Sequence, residues 1–479
     1  MDYLISHPYL QAALSHFLTV AGFLLAFFLI ARLMSEKRQP GNTVAWLLGI
    51  VLVPYLGVPL YLLFGGRKLR RLMTRKTPMT PTLPGVTLEP GACVDRHIAR
   101  AVRAAGGSLP LAHNQLKLLT TGEDAYRALA EGIERAKHHI HITTFILGRE
   151  DTGKRIVQLL AKRAREGVKV RLLLDAVGCM FIRRGFVAPI LKAGGEVHWF
   201  MPVLPLTSRS SANLRNHRKI AVFDHTTAMV GGHNLSREYM GPARMAKRWA
   251  DFGGLIHGPA AALLNEVFIA DWCFASGQSI DAIHAEIPAD ELTQHRGPAE
   301  LQVIASGPDV RGDPLYEGLV AMIQTAEKSI TIITPYFIPD EVLQRSLIVK
   351  ARSGIEVTLL VPAKSNHPVT DFARKHYLRE LREAGVTIKL HGPGMMHSKA
   401  TIIDDTIALF GSANFDLRSL FVNFEIGVLV HSPAEVAEIS AWAQSLLDKA
   451  RNAKPIKRGR FHFAHSIAED LSRLIAPLL

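Results

Sequence analysis

Two stretches of the chain carry the same reactive side chains at the same intervals. "NHRKIAVFDHTTAMVGGHNL", from Asn216 to Leu235, holds His217, Lys219, Asp224, Gly231 and Asn234. "MHSKATIIDDTIALFGSANF", from Met396 to Phe415, holds His397, Lys399, Asp404, Gly411 and Asn414. The step from His to the first following Gly is 14 residues both times, 217 to 231 and 397 to 411. As a strand, "HRKIAVF" points His217 and Lys219 to one side and Arg218 to the other, because successive side chains alternate. Asp224 then ends the strand, "TTAMV" returns as its neighbour, and Gly231-Gly232 lets the backbone turn sharply beside Asn234. The second copy repeats this arrangement.

Such a set suits a phosphate. Lys and Asn donate hydrogen bonds, and a pair of lysines adds positive charge where phosphoryl oxygens gain charge in a transition state. Histidine is a nucleophile when neutral and a general acid when protonated. Two histidines on opposite sides of one phosphorus divide the work: one attacks, and the other protonates the leaving alcohol and then takes a proton from the incoming alcohol or water. The residues do not say which is which. A carboxylate on the far nitrogen of each imidazole fixes its tautomer and stabilises its charged form. The candidates are Asp251 in "RWADFGG" and Glu425 in "VNFEIG", each following its signature by a similar interval. Asp224 and Asp404 belong to the expected catalytic set, although an Asp at a strand end is commonly structural. Asn234, Asn414 and Ser412 are expected to bind or orient the phosphate. No HExxH or paired acidic/His spacing occurs, and the lysines already supply charge, so neither metal nor cofactor is expected.

These side chains need a scaffold. "DAYRALAEGIERAK" and "GKRIVQLLAKRAREG" have helical periodicity, and "HHIHITTFIL" and "VKVRLLLDAV" read as strands. The same αβαβ order restarts at "DPLYEGLVAMIQTAEK" and "SITIITPYFI". The expectation is α/β: two tandem domains related by duplication, with mixed sheets flanked by helices. Residues 111–280 and 281–479 are the expected halves, with Ala275–Glu300 as the boundary region between them.

Before them the chain changes character. Leu10–Ala31 and Asn42–Phe64 carry no charge, and each is about the 20 residues that cross hydrocarbon as a helix. Residues 1–66 are therefore expected to form a transmembrane hairpin, although Pro54, Gly57 and Pro59 also suit a re-entrant segment. Met1–His16 has no Lys or Arg, unlike the basic start of a signal peptide. Residues 67–110 form a basic flank and linker; Arg67, Lys68, Arg70, Arg71, Arg75 and Lys76 favour placing the rest of the chain in the cytoplasm. The whole chain has 479 residues, a formal charge of +14 and a pI of about 9.7, which favours an anionic partner without choosing among lipid, nucleic acid and phosphorylated substrate. Cys93, Cys179 and Cys273 are far apart and suggest reduced thiols rather than a disulfide framework.

The twin HxKxxxxD–G-[GS]-x-N signatures resemble the phospholipase D superfamily. "ITPYFIPDE", "GSANFDLRS", "NFE" and the paired apolar segments make the chain similar to its bacterial cardiolipin synthases. The resemblance covers nearly the whole length. It implies two phospholipase D-like domains and a metal-independent transfer between two phosphatidylglycerol molecules, giving cardiolipin and glycerol through a phosphatidyl-histidine. It also implies anionic membrane lipid as partner, no nucleic acid, and a multi-pass protein of the bacterial inner (cytoplasmic) membrane with cytoplasmic catalytic domains. Within the superfamily the first-copy His is often the nucleophile, which implies His217, with His397 as general acid. One departure is Gly232, where the second copy has Ser412. Transfer to water, serine or ethanolamine, a nuclease, and a non-catalytic scaffold are the competing readings, and the residues leave the oligomeric state open. Lipid access needs an apolar surface, for which "MFIRRGF" (180–186) and "PVLPLTS" (202–208) are candidates, with ordinary packing the simpler reading of both.

Overall fold

Each signature folds into a β-hairpin with the same register. The structure, a computed structural model, describes residues 8–35, 40–64, 89–93, 96–203, 213–287 and 296–453. The basic stretch 67–76, most of the 77–91 linker and most of the 202–208 segment lie outside the described residues. The first half supplies β1 (Pro110–Leu119), β2 (His139–Thr144), β3 (Lys169–Asp175), β4 (Glu196–Phe200), β5 (Ile220–Phe223), β6 (Thr227–Gly231) and β7 (Gly253–His257). The second half supplies β8 (Ala299–Ser306), β9 (Ser329–Ile333), β10 (Phe337–Ile338), β11 (Glu356–Pro362), β12 (Thr387–His391), β13 (Ala400–Ile403), β14 (Ile407–Gly411), β15 (Phe415–Asp416), β16 (Glu425–Val430) and β17 (Arg451–Asn452).

In the hairpins Ile220 faces Val230 and Ala400 faces Phe410, so both β5–β6 and β13–β14 pair with the same offset. Asp224 and His225 turn the first with φ of 46° and 54°, and Asp404 and Asp405 turn the second with 52° and 54°. Asp and His tolerate this left-handed conformation better than most side chains.

Fifteen strands join one sheet in the order β17-β12-β11-β9-β13-β14-β16-β8-β1-β7-β6-β5-β2-β3-β4; β10 and β15 pair separately. Without β17 the order is the same read from either end of the β8–β1 joint, the mark of a duplicated α/β unit. Within each half the strands next to helices run parallel, as β2–β3–β4 and β9–β11–β12 do, and the signature strands run antiparallel to them. The β1–β8 joint has a register break between Leu111 and Asn114. Asn114 fills the break: it is fully buried, donates to the Leu111 and Ala112 carbonyls at 2.9 and 3.1 Å, and accepts from the Ala260 N–H at 2.8 Å. One hydrophobic core runs across both halves and includes Val230, Phe252, Phe410, Val428 and Trp442. Phe252 stacks on Trp442 at 3.9 Å and meets Phe410 edge-on at 5.4 Å.

Residues 1–68 form a separate unit. Helices span Pro8–Ser35, Pro40–Leu52 and Pro54–Phe64, and Leu29, Leu33, Ile50 and Tyr61 pack together. The second apolar stretch is thus two short helices rather than one. Pro54 has no N–H to continue the ladder, and Gly57 lies so close to Gly49 that a Cβ would sit 2.0 Å from its carbonyl oxygen. Among the described residues no helix is long and apolar enough to cross a membrane, so the expected transmembrane hairpin is not borne out.

Candidate active site

The strand ends bring the two signatures to one place. Parallel bridges link Asn216 to Phe424 and Ala250 to Met396. The His217 N–H donates to the Phe424 carbonyl at 2.9 Å and the His397 N–H to the Ala250 carbonyl at 2.6 Å. Each histidine segment therefore lies along a segment from the other half, and the carboxylates are exchanged. His217 Nδ1 is 3.0 and 3.1 Å from the Glu425 oxygens. His397 Nδ1 is 2.7 Å from Asp251 Oδ2. Both acids are fully buried. An N–H donated from Nδ1 leaves the Nε2 lone pair of His217 free, whereas His397 Nε2 has Lys399 Nζ 3.1 Å away.

Glycines permit this approach. A Cβ on Gly231 would stand 2.4 Å from the Gly253 Cα, and one on Gly411 2.1 Å from the Ile426 carbonyl. Gly232 is required by its neighbour: a Cβ there would lie 2.0 Å from Asp251 Oδ1. At the matching position Ser412 instead donates its hydroxyl to Glu425, whose other oxygen receives the Asn423 amide at 3.4 Å. The departure between the copies is thus matched to the shorter and longer acid beside it.

Electrostatics follow from burial and from the lysines. His217 is lowered from its ordinary pKa, first by burial and then by Lys219 and Lys399, with Glu425 opposing. His397 is lowered well below the ordinary value by burial, then by Lys399, Lys219 and His217. Burial brings Lys219 to about 7 and Lys399 to about 8. The acids differ. Burial raises Asp251 on balance. It would also raise Glu425, but His217, Lys219 and the Ser412 hydroxyl together hold Glu425 below the ordinary carboxylate value. Lys219 Nζ donates to the His217 carbonyl at 2.7 Å, and Lys399 Nζ lies 2.7 Å from His397 Nδ1.

Of the residues singled out in the sequence, His217, Lys219, His397, Lys399, Asp251, Glu425 and Ser412 come together. Asn234 accepts from the Ile146 N–H at 3.1 Å and bonds to the Tyr239 side chain. Asn414 bonds to Asp416, while its own Oδ1 is buried without a hydrogen-bond partner. Asp224 and Asp404 do not join the site. Each lies at the far end of its strand, seven residues from its histidine and roughly 20 Å away at 3.3 Å per residue. The Asp224 carboxylate accepts the N–H groups of Lys137, His138 and His139 at 2.7, 2.7 and 2.9 Å. Asp404 accepts those of Glu327, Lys328 and Ser329 at 2.8, 2.7 and 2.7 Å. They tie each turn to the start of the neighbouring strand, so, against expectation, neither Asp224 nor Asp404 takes part in the chemistry. Sequence reasoning missed the aromatic walls: Phe145 meets His217 edge-on at 5.0 Å, and Tyr239 meets His397 at 5.0 Å. The aromatic just after each strand, in "TTFIL" and "TPYFI", was the available signal for the first.

The chain resembles known proteins over most of its length. The family described as cardiolipin synthase, PLD-like domain, matches residues 129–272 and 319–447. The chain belongs to the cardiolipin synthase family of the phospholipase D superfamily. Residues 23–66 match a second family, phospholipase D-nuclease N-terminal. A cardiolipin synthase of Geobacillus kaustophilus is 33% identical, covering 93% of this chain and 90% of that protein. Cardiolipin synthase 1 of Bacillus anthracis is 33% identical, covering 96% and 92%. Among solved structures, a phosphatidylserine synthase from Haemophilus influenzae shares the fold with a TM-score of 0.60 at 16% identity, covering 80% of this chain and 100% of that one.

Proposed function

We propose that the chain is a phosphatidyltransferase that makes cardiolipin and glycerol from two phosphatidylglycerol molecules. The observation that carries this reading is the exchanged pairing of two buried imidazoles with two buried carboxylates beside two lysines. His217 Nε2 attacks the phosphorus of one phosphatidylglycerol, a P–N bond forms, and the P–O bond to glycerol breaks. His397 gives its proton to the departing glycerol oxygen. The hydroxyl of a second phosphatidylglycerol then returns a proton to His397 while its oxygen displaces His217.

The two acids support this order. Glu425, held ionised, stabilises the positive charge that His217 acquires on bonding to phosphorus. Asp251, which holds a proton more readily, suits the pair that must carry one. The lipid's phosphate adds negative charge between the lysines and offsets the burial that keeps His397 neutral. The N-terminal unit attaches the chain to the membrane, with Phe23, Phe27 and Phe28 more than half exposed on its first helix and the catalytic unit on the cytoplasmic side. Protease added to sealed, inverted vesicles is expected to cut the catalytic unit, and protease outside spheroplasts is not.

Purified protein in detergent with phosphatidylglycerol alone tests the activity, with lipids read by mass spectrometry. Cardiolipin and free glycerol are expected, with both lost at least about a thousandfold in His217→Ala and His397→Ala. Phosphatidic acid as the only product would overturn the synthase reading in favour of hydrolysis.

A further inference from the structure

We propose that the tight turn Cys179–Ile182 is a membrane-docking tip that presents Met180 and Phe181 to an anionic bilayer beside the His217 side of the active site. The inference rests on the lipid substrate proposed above. Met180 is 65% exposed and Phe181 70%, while Cys179 and Ile182 on either side are only 2% and 6% exposed. The turn is held by its own backbone: the Cys179 N–H donates to Asp175 at 2.9 Å, Met180 to Val177 at 3.1 Å, and Ile182 to Cys179 at 2.8 Å. Two large apolar side chains are thus fixed in water by a rigid, doubly anchored turn. A flexible loop could fold such residues away; this turn cannot, and a fixed apolar projection marks an interaction surface.

Its position says what it meets. The turn follows β3 at the same sheet end as the site. Asp175 accepts the N–H groups of Val177 and Gly178, both at 2.9 Å, and also that of Asn216, next to His217, at 2.9 Å. Cys179 Sγ donates to the Phe145 carbonyl at 3.3 Å, and Phe145 walls His217. Phe181 is three residues from Gly178, which packs on Phe145, so its Cα lies within about 11 Å of Gly178 at the site wall. Arg183 and Arg184 follow and are exposed. Apolar residues at the tip with arginines behind them match a layer of acyl chains under anionic headgroups. Docked this way, the turn would hold the His217 side of the site at the depth where phosphatidylglycerol phosphates lie.

The test uses the full chain in vesicles of phosphatidylglycerol and phosphatidylcholine. Phe181→Cys carries an environment-sensitive fluorophore, with Glu131→Cys, on an exposed helix face, as control; Cys93, Cys179 and Cys273 are buried and label poorly. The expected result is blue-shifted emission at position 181, quenched by brominated lipid, and neither change at 131. Emission at 181 that matches the control overturns the proposal. So does a blue shift that follows protein concentration and ignores brominated lipid, since a second copy would then cover the tip. Turnover gives an independent reading. Met180→Ser with Phe181→Ser is expected to slow turnover of vesicle phosphatidylglycerol by about tenfold or more, the loss of one partly buried side chain being worth about that factor. Turnover of a monomeric short-chain phosphatidylglycerol should stay unchanged, and an equal fall on both substrates overturns the docking role. The two proposals fail separately. Lipid quenching without phosphatidylglycerol turnover removes the proposed function and keeps the tip; turnover with an aqueous tip does the reverse.

Discussion

Arg218 and Ser398 hold the same position in the two halves, between the reactive His and Lys, and both are fully buried. Arg218 reaches Asp271 at 2.7 Å, then crosses to the second half, to Asp309 at 3.2 Å and to the carbonyls of Ser306 and Glu425, both at 3.1 Å. Ser398 crosses the other way with a single bond, to the Ala250 carbonyl at 3.1 Å. The same contrast runs beneath the sheet. The first half buries His139, His141 and His225 with ring centroids 4.8 to 5.7 Å apart. The strand register puts Ser329, Thr331 and Asp405 at the corresponding places in the second half. Duplication has kept the His-Lys face alike and let the support diverge, so the halves should respond alike to changes on that face and unlike to changes behind it.

The sharpest test of likeness is the exchanged carboxylates. Glu425→Gln and Asp251→Asn should each lower kcat by about a thousandfold, because the amide no longer fixes the imidazole tautomer or its charge. Nitrogen NMR of the histidines should show Glu425→Gln disturbing His217 and leaving His397 nearly unmoved. Disturbance of the histidine in the same half instead would break the exchanged pairing.

Unlikeness should appear next, in stability. Arg218→Met leaves Asp271 and Asp309 buried without their cation and should cost about 3–5 kcal/mol. Ser398→Ala removes one hydrogen bond and should cost about 1 kcal/mol. Denaturant unfolding measures both, and equal losses would contradict the assignment of Arg218 as the main polar clasp.

A third effect concerns acid. His225 is lowered to about 3 by burial, then by the charges of His139, His284, Arg171 and His138. Its folded pKa lies below the unfolded value, so the unfolded chain binds the extra proton. Its contribution is full above about pH 6.5 and is lost as the pH falls toward 3. Between pH 7 and 5 this one group should account for about 2 kcal/mol of lost stability. His225→Asn, which tolerates the left-handed turn, should flatten that part of the pH profile; an unchanged slope would show that the cluster is not what titrates.

How far the sequence reached can be judged residue by residue. The duplicated α/β pattern, the hairpins and the His-Lys pairs were legible because strand alternation and turn glycines act within a few residues. Asp224 and Asp404 were misassigned to the catalytic set because spacing gives no direction along a strand: seven residues carry them to the opposite end. The second apolar stretch read as one span because hydropathy counts residues and does not see Pro54 and Gly57 break a helix. Asp251 and Glu425 were recognised as the acids, but which histidine each would serve was not readable from intervals.

The sequence by itself determined the reactive groups, their number and their local geometry, since these follow from side-chain chemistry and short-range backbone rules. Only the tertiary structure decided that each histidine takes its carboxylate from the other half, that Gly232 and Ser412 are matched to acids of different length, and that burial brings two lysines toward neutrality. The exchanged pairing arises from contacts between residues more than a hundred positions apart, 208 for His217 and Glu425 and 146 for His397 and Asp251. The lysine shifts depend on the exclusion of water, which no local stretch of chain achieves before the halves have packed.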